Sequence, residues 1–286
     1  MSAELFAIMT ALLRGFAAIP TKIGLRNSNP ETSTLIYLTL NTVLLWSMTF
    51  LLYSVEQISI NGLEYFALAG IFAPGIARLF RDVGIEKLGV TISSPIVGTN
   101  TLFSVLLSTI FIGEEITIYI ISGALVIVLG LNMLTWKRGE NIEWRKKDLI
   151  YPIIAAILFA SSTNLRKIGL EKTGYPVFGA ALTSTISLIV LLLSLLVNKS
   201  RESALDFNKD SMKFFVFSSV LSCLAFLFYF NSLYMSYIVK IQPIAATNPL
   251  FALLFSHIFL KNVEKITLNV VVGSVLVFVG IVLILI

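Results

Sequence analysis

One nine-residue segment occurs twice in this chain, and the interval between its copies constrains the fold more than any other feature. Pro95-Ile96-Val97-Gly98-Thr99-Asn100-Thr101-Leu102-Phe103 returns 148 residues later as Pro243-Ile244-Ala245-Ala246-Thr247-Asn248-Pro249-Leu250-Phe251. Related pairs flank it in the same order. Leu13-Arg14-Gly15-Phe16 and Thr21-Lys22-Ile23-Gly24-Leu25 correspond to Phe159-Ala160-Ser161-Ser162 and Arg166-Lys167-Ile168-Gly169-Leu170. Glu114-Glu115-Ile116-Thr117 corresponds to Glu264-Lys265-Ile266-Thr267, and Gly123 and Gly130 to Gly273 and Gly280. Matches kept in one order identify a duplication.

Both copies lie in apolar sequence. Hydrophobic residues make up 57% of 286 positions and charged residues 13%, with a mean hydropathy of +0.91. A soluble domain carries roughly 25% charge, so an aqueous globule is excluded. About 20 apolar residues cross a bilayer as a helix. Such stretches fall at 4–22, 33–54, 63–83, 90–112, 116–136, 149–168, 175–197, 211–234, 238–260 and 266–286. Lipid offers no partner to a backbone amide, and the short alternating segments of a barrel are missing, so the stretches read as helices. The expected fold is therefore all-α and integral to the membrane, with ten transmembrane helices as two inverted five-helix repeats. The repeats cover 1–137 and 149–286, joined by a loop at 138–148. Five spans per copy force the second copy to enter the bilayer upside down, the arrangement of alternating-access carriers with a midplane site. No basic region precedes the first apolar run, so it reads as a retained span rather than a cleaved signal.

Several functions drop out on composition. Cys223 is the only cysteine and His257 the only histidine, which excludes an internal disulfide, a cysteine metal cluster and two-histidine metal motifs. No phosphate-binding loop of the Gly-x-x-x-x-Gly-Lys-Ser/Thr type occurs, so ATP hydrolysis is not expected. The net charge of +5 sits in short loops such as Trp136-Lys137-Arg138 and Arg145-Lys146-Lys147. That pattern flanks membranes and offers no broad nucleic-acid face. No metal or cofactor is expected. An intramembrane enzyme would need a nucleophile with a base or a metal cluster; a channel or receptor has no use for two inverted gates.

The candidate solute-binding residues are polar groups inside apolar spans. Arg14 lies about 14 Å along its helix from Leu5, near mid-membrane, where an arginine costs roughly 2.5–3.5 kcal/mol to insert. A carboxylate on an anionic or zwitterionic solute would be a natural partner; so would a structural carbonyl or Asp82. Asn100 and Asn248 occupy the centres of the fourth and ninth spans, where an unpartnered carboxamide is costly. Ser93, Asn100, Ser104 and Ser108 share one helical face, which reads either as a cavity wall or as close helix packing. Arg81, clustered with Arg78 and Asp82, and Tyr229, Asn231 and Asn164 complete the set, with Ser161, Ser162 and Gln242 beside them. Pro95 and Pro243 interrupt hydrogen bonding in their spans and are candidate hinges. Lys22, Lys167 and Lys240 read as headgroup anchors, His257 as a packed side chain, and Glu114, Glu115 and Glu264 as solvated or capping groups. The paired glycines read as faces for the other half or for a second protomer.

The chain resembles the EamA-type branch of the drug/metabolite transporter superfamily. The resemblance covers essentially all 286 residues and rests on the Gly15-to-Lys22 pattern, the Pro…Leu-Phe pattern of the fourth and ninth spans, Gly113-Glu114-Glu115-Ile116-Thr117, and Gly123 with Gly130. It implies ten helices in two EamA-like repeats around a central cavity, lined by the third, fourth, eighth and ninth helices with help from the first and sixth. The expected activity is secondary transport, by alternating access, of a small organic metabolite: an amino acid or another anionic or zwitterionic solute. A proton-coupled exporter of cationic drugs is the alternative, although the first span offers Arg14 and no acid beyond Glu4. Partners are the solute and the lipid bilayer of the cell membrane, with any coupling ion, and a monomer or homodimer, left open. About 16 of the 21 lysines and arginines fall on the side opposite the termini and about four on theirs, which by the positive-inside rule places the termini outside. The resemblance implies cytoplasmic termini, and both orientations stand.

Overall fold

The computed structural model describes residues 2–54, 61–88, 90–135, 145–197, 205–259 and 268–285, and is helical with no strand among them. Eight helical stretches are long and apolar enough to cross a membrane: Ala3–Gly24, Pro30–Leu52, Leu63–Ile85, Ile92–Phe111, Lys146–Thr173, Pro176–Val197, Lys209–Met235 and Ile238–Phe259. Two shorter apolar helices, Ile118–Met133 and Val271–Leu285, supply the fifth and tenth positions. Large apolar side chains point outward, among them Phe50, Leu51, Ile110, Phe111 and Phe278, while Ser and Thr concentrate inside. That distribution suits lipid, where apolar surface is at no disadvantage and hydroxyls must find partners. Trp136, Lys137, Arg138 and Glu264 lie outside the described residues.

The inversion of the repeats is visible where equivalent helices meet. A methyl group on Gly123 would lie 2.7 Å from the Gly280 carbonyl oxygen, and one on Gly130 would lie 2.7 Å from that of Gly273. Gly123 corresponds in sequence to Gly273, yet it opposes Gly280. The fifth and tenth helices are therefore antiparallel, and the glycines serve the contact between halves. The second and seventh spans repeat the pattern. Trp46 Nε1 donates to Thr185 Oγ1 at 2.8 Å, and the rings of Tyr53 and Tyr175 meet edge-on.

The two halves interleave. The first span packs on the eighth and ninth, and the sixth packs on the third and fourth. Hydroxyl groups stitch the first seam at seven-residue steps in opposite directions. Thr10 Oγ1 donates to Ala225 O at 3.3 Å, Ser218 Oγ to Ala17 O at 2.9 Å, and Ser211 Oγ to Gly24 O at 2.8 Å. Gly15 meets the ninth span directly: a methyl there would come within 2.9 Å of Asn248 O. Each repeat thus lends its first helix to the other, which the sequence pattern did not reveal.

Among the described residues, three spans are broken. The third divides into Leu63–Gly70 and Ala77–Leu88 around a wide turn in which Ala73 has extended angles (φ −147°, ψ 133°). Pro74, which lacks an amide hydrogen, sits in that turn. The second half supplies donors to the carbonyls released: Ser162 Oγ to Ala69 O at 2.8 Å, Arg166 Nη2 to Ala73 O at 2.7 Å, and Ser187 Oγ to Gly70 O at 3.1 Å. The fourth span divides into Val90–Gly98 and Asn100–Phe111, and the ninth into Ile238–Ala245 and Asn248–Phe259.

Candidate functional site

The duplicated segment builds the two breaks that frame the site. Thr99 Oγ1 donates to Ile96 O at 2.6 Å, and Thr247 Oγ1 donates to Ile244 O at 2.7 Å. The backbone amides of both threonines donate to the same carbonyls at 3.1 Å. In each copy the helix yields a few residues after the proline, where a threonine caps the first segment and an asparagine opens the second. Pro95 and Pro243 therefore lie inside their first segments and not at the breaks.

Between the breaks lies a cavity of about 260 Å³ lined by Arg14, Asn100, Gln242, Asn248 and Asn132, among others. That volume is far above the ~10–15 Å³ that admits one water. Its walls come from the first, fourth, fifth and ninth spans, so both repeats contribute. A second cavity of about 230 Å³ is lined by Arg14 with Thr21, Ser33, Thr34, Tyr37, Ser218, Ser219 and Ser222. Arg14 is the one residue common to both linings. Its guanidinium stacks 4.9 Å from the Tyr229 ring centroid. Among the described residues it forms no hydrogen bond or ion pair.

A hydrogen-bonded chain braces the floor of the first cavity. Tyr229 Oη donates to Gln242 Oε1 at 2.5 Å, Gln242 Nε2 to Asn100 Oδ1 at 3.3 Å, and Asn100 Nδ2 to Val97 O at 2.8 Å. Thr163 Oγ1 lies 3.2 Å from Tyr229 Oη. The chain links the sixth, eighth, ninth and fourth spans and fixes the ring under Arg14. Asn248 also lines the cavity, but its carboxamide makes no hydrogen bond to the described residues.

The other nominated residues lie elsewhere. Ser104 is fully buried, and its carbonyl accepts from Asn164 Nδ2 at 3.2 Å. Asn164 Nδ2 also reaches Ala160 O at 3.0 Å, so both residues serve the contact of the sixth and fourth spans. Ser93 and Ser108 are equally buried. The break at Thr99 changes the helical phase between Ser93 and Asn100; Ser94, Asn100 and Thr101 line the cavity, and Ser93, Ser104 and Ser108 do not. Asn231 Nδ2 donates to Leu227 O in its own helix at 2.8 Å. Arg81 pairs with Asp82 at 2.9 Å near the end of the third span, joined by Arg78 at 3.6 Å.

Two loop-side readings change. Lys167 is buried and does not anchor at headgroups. Its Nζ donates to Leu233 O at 2.9 Å and Ser236 O at 3.0 Å, capping the eighth span, and meets Glu171 at 3.3 Å. His257 is exposed at the end of the ninth span instead of packed. Glu114 is a buried cap: Oε1 accepts from Ile238 N at 2.8 Å and Oε2 from Val239 N at 3.0 Å. A carboxylate from one repeat thus starts the ninth span of the other. Asn132, Tyr37 and the serines of the second cavity were not singled out by sequence. Asn132 could have been, as a carboxamide inside an apolar run; the serines resemble many others.

A model of the EamA-like transporter family matches residues 1–136 and 147–286. No curated protein matches the chain. A chain known from a crystal structure aligns with a TM-score of 0.82 over 98% of this chain and 95% of its own, at 13% sequence identity. That likeness concerns the fold alone.

Proposed function

The chain belongs to the EamA-like transporter family and is a membrane transporter of the drug/metabolite superfamily, and from that premise we propose that it carries a small organic metabolite bearing a carboxylate across the cell membrane by alternating access. The observation that carries this reading is Arg14, a cation with no counter-charge among the described residues, in a cavity walled by both repeats. A guanidinium binds a carboxylate through paired, charge-assisted hydrogen bonds. Broken helices around a midplane cavity are the usual setting for such a site in inverted-repeat carriers. Arg14 holds the charged end of the solute, and Asn248 orients the remainder. Asn100, already bonded within the wall, positions the ninth span through Gln242.

Alternation follows from the interleaving. The first span moves with the eighth and ninth, to which it is stitched, and the sixth with the third and fourth. The solute is passed between them at Arg14, the residue shared by the two cavities.

The test is counterflow in liposomes reconstituted with the protein, screening labelled amino acids, sugars, organic anions and cationic dyes. Accumulation of carboxylates alone, lost in Arg14→Gln, is the expected result. Flux of a sugar or cationic dye that survives Arg14→Gln would overturn the reading.

A further inference from the structure

The charges and hydrogen-bonding groups around the site distinguish among carboxylates. Among the described residues Arg14 is the only charged side chain lining either cavity; no Asp, Glu, Lys or His of theirs does so. A second cation lies close behind. Arg166 is buried, donates to Ala73 O at 2.7 Å, and stacks on Phe226 and Phe230, whose rings flank Tyr229 on the eighth span. No carboxylate pairs with it among the described residues. Three acids of the neighbouring spans are engaged elsewhere: Asp82 with Arg78 and Arg81, Glu171 with Lys167, and Glu114 with the ninth-span amides.

An ammonium group would need an anionic partner to offset Arg14, and the oxygens at the breaks are neutral and already accept hydrogen bonds. Ile96 O and Ile244 O accept from the two threonines, and Val97 O from Asn100. Asn100 Oδ1 accepts from Gln242, and Gln242 Oε1 from Tyr229. The site therefore presents positive charge and, among the described residues, no carboxylate to receive an ammonium. A zwitterion would bring its own cation beside Arg14 and leave the site positively charged, which is costly away from water. An anion neutralises it.

We propose that the cargo is a small organic acid without an ammonium group, its carboxylate on Arg14 and its hydroxyl or keto substituents toward Asn248 and the hydroxyl groups of the second cavity. This rests on the carboxylate reading above and narrows it, setting amino acids below the corresponding hydroxy acids.

Matched pairs that differ only in hydroxyl against ammonium make the test: lactate with alanine, 2-hydroxyisocaproate with leucine, and phenyllactate with phenylalanine. Each is assayed by counterflow in wild-type proteoliposomes, beside Arg14→Gln. For whichever side-chain size is carried, the hydroxy acid should exceed the amino acid by about tenfold or more, a difference of about 1.4 kcal/mol. Amino acids carried as well as or better than their partners, with both fluxes lost in Arg14→Gln, would overturn this narrowing and leave the carboxylate reading standing. No Arg14-dependent flux of any member would overturn both.

Discussion

The Arg14 guanidinium lies over the ring of Tyr229 at 4.9 Å, joining the first helix of one repeat to the eighth span of the other. The ring face compensates part of the cation's desolvation, and Tyr229 is held in place by Gln242. The stack keeps the charge inside the membrane without a carboxylate that a solute would have to displace.

Arg14→Gln should weaken carboxylate transport by about 10- to 100-fold, the range expected for loss of a charge-assisted hydrogen bond of about 1.5–3 kcal/mol. Arg14→Lys should recover part of it, since lysine keeps the charge but not the two-pronged geometry. Thermal unfolding in detergent should shift little or rise in Arg14→Gln, because an uncompensated cation is removed. A large fall in unfolding temperature would instead mark Arg14 as structural.

Asn248 and Asn231 should separate cleanly. Asn248 faces the cavity, so Asn248→Ala should raise the half-saturating solute concentration by about fivefold, from one lost hydrogen bond of about 1 kcal/mol. Asn231 donates to Leu227 O in its own helix, and Asn231→Ala should leave that concentration unchanged. The readout is solute-dependent counterflow for both variants. Equal effects would mean that the cavity assignment fails.

Gly123→Ala should destabilise the protein by about 1–3 kcal/mol, as overpacking does. The added methyl would meet the Gly280 carbonyl oxygen at 2.7 Å, and a backbone atom cannot swing aside. Leu125, 45% exposed on the lipid side, provides the control: Leu125→Ala should fall within about 0.5 kcal/mol. Unfolding temperatures in one detergent compare them.

Lys167→Met should cost about 1–3 kcal/mol, because the Leu233 and Ser236 carbonyls lose a buried donor. A lysine resting at headgroups would tolerate the same change. Lys213→Met, on a side chain 63% exposed, should be neutral within about 0.5 kcal/mol. Unfolding in graded denaturant on the two variants decides between cap and anchor.

Much of the fold was legible in the chain because bilayer physics acts on the sequence directly. Apolar length reports a span, and an odd span count per copy reports inversion; both are local sums that need no knowledge of packing. Arg14, Asn100 and Asn248 were legible for the same reason, since a charge or carboxamide in the middle of an apolar run has to be accounted for. The serine stripe shows where that logic ends. Ser93 shares a face with Asn100 only on an unbroken helix, and the turn at Thr99 parts them; Ser104 and Ser108 stay on the segment that Asn100 opens, yet are fully buried and line neither cavity.

The repeat and its hydropathy were sufficient to determine the number of spans and the opposed orientation of the halves, and they pointed to Arg14, Asn100 and Asn248, which line the central cavity. Which helix lies against which was decided only in three dimensions, because an apolar helical face suits lipid, its own repeat or the other repeat equally well. The exchange of first and sixth helices, the caps at Lys167 and Glu114, and the two cavities meeting at Arg14 all follow from contacts between residues far apart in the chain. Such contacts leave no periodic trace in the sequence, since a hydroxyl that closes a seam and one that faces a cavity are the same residue type.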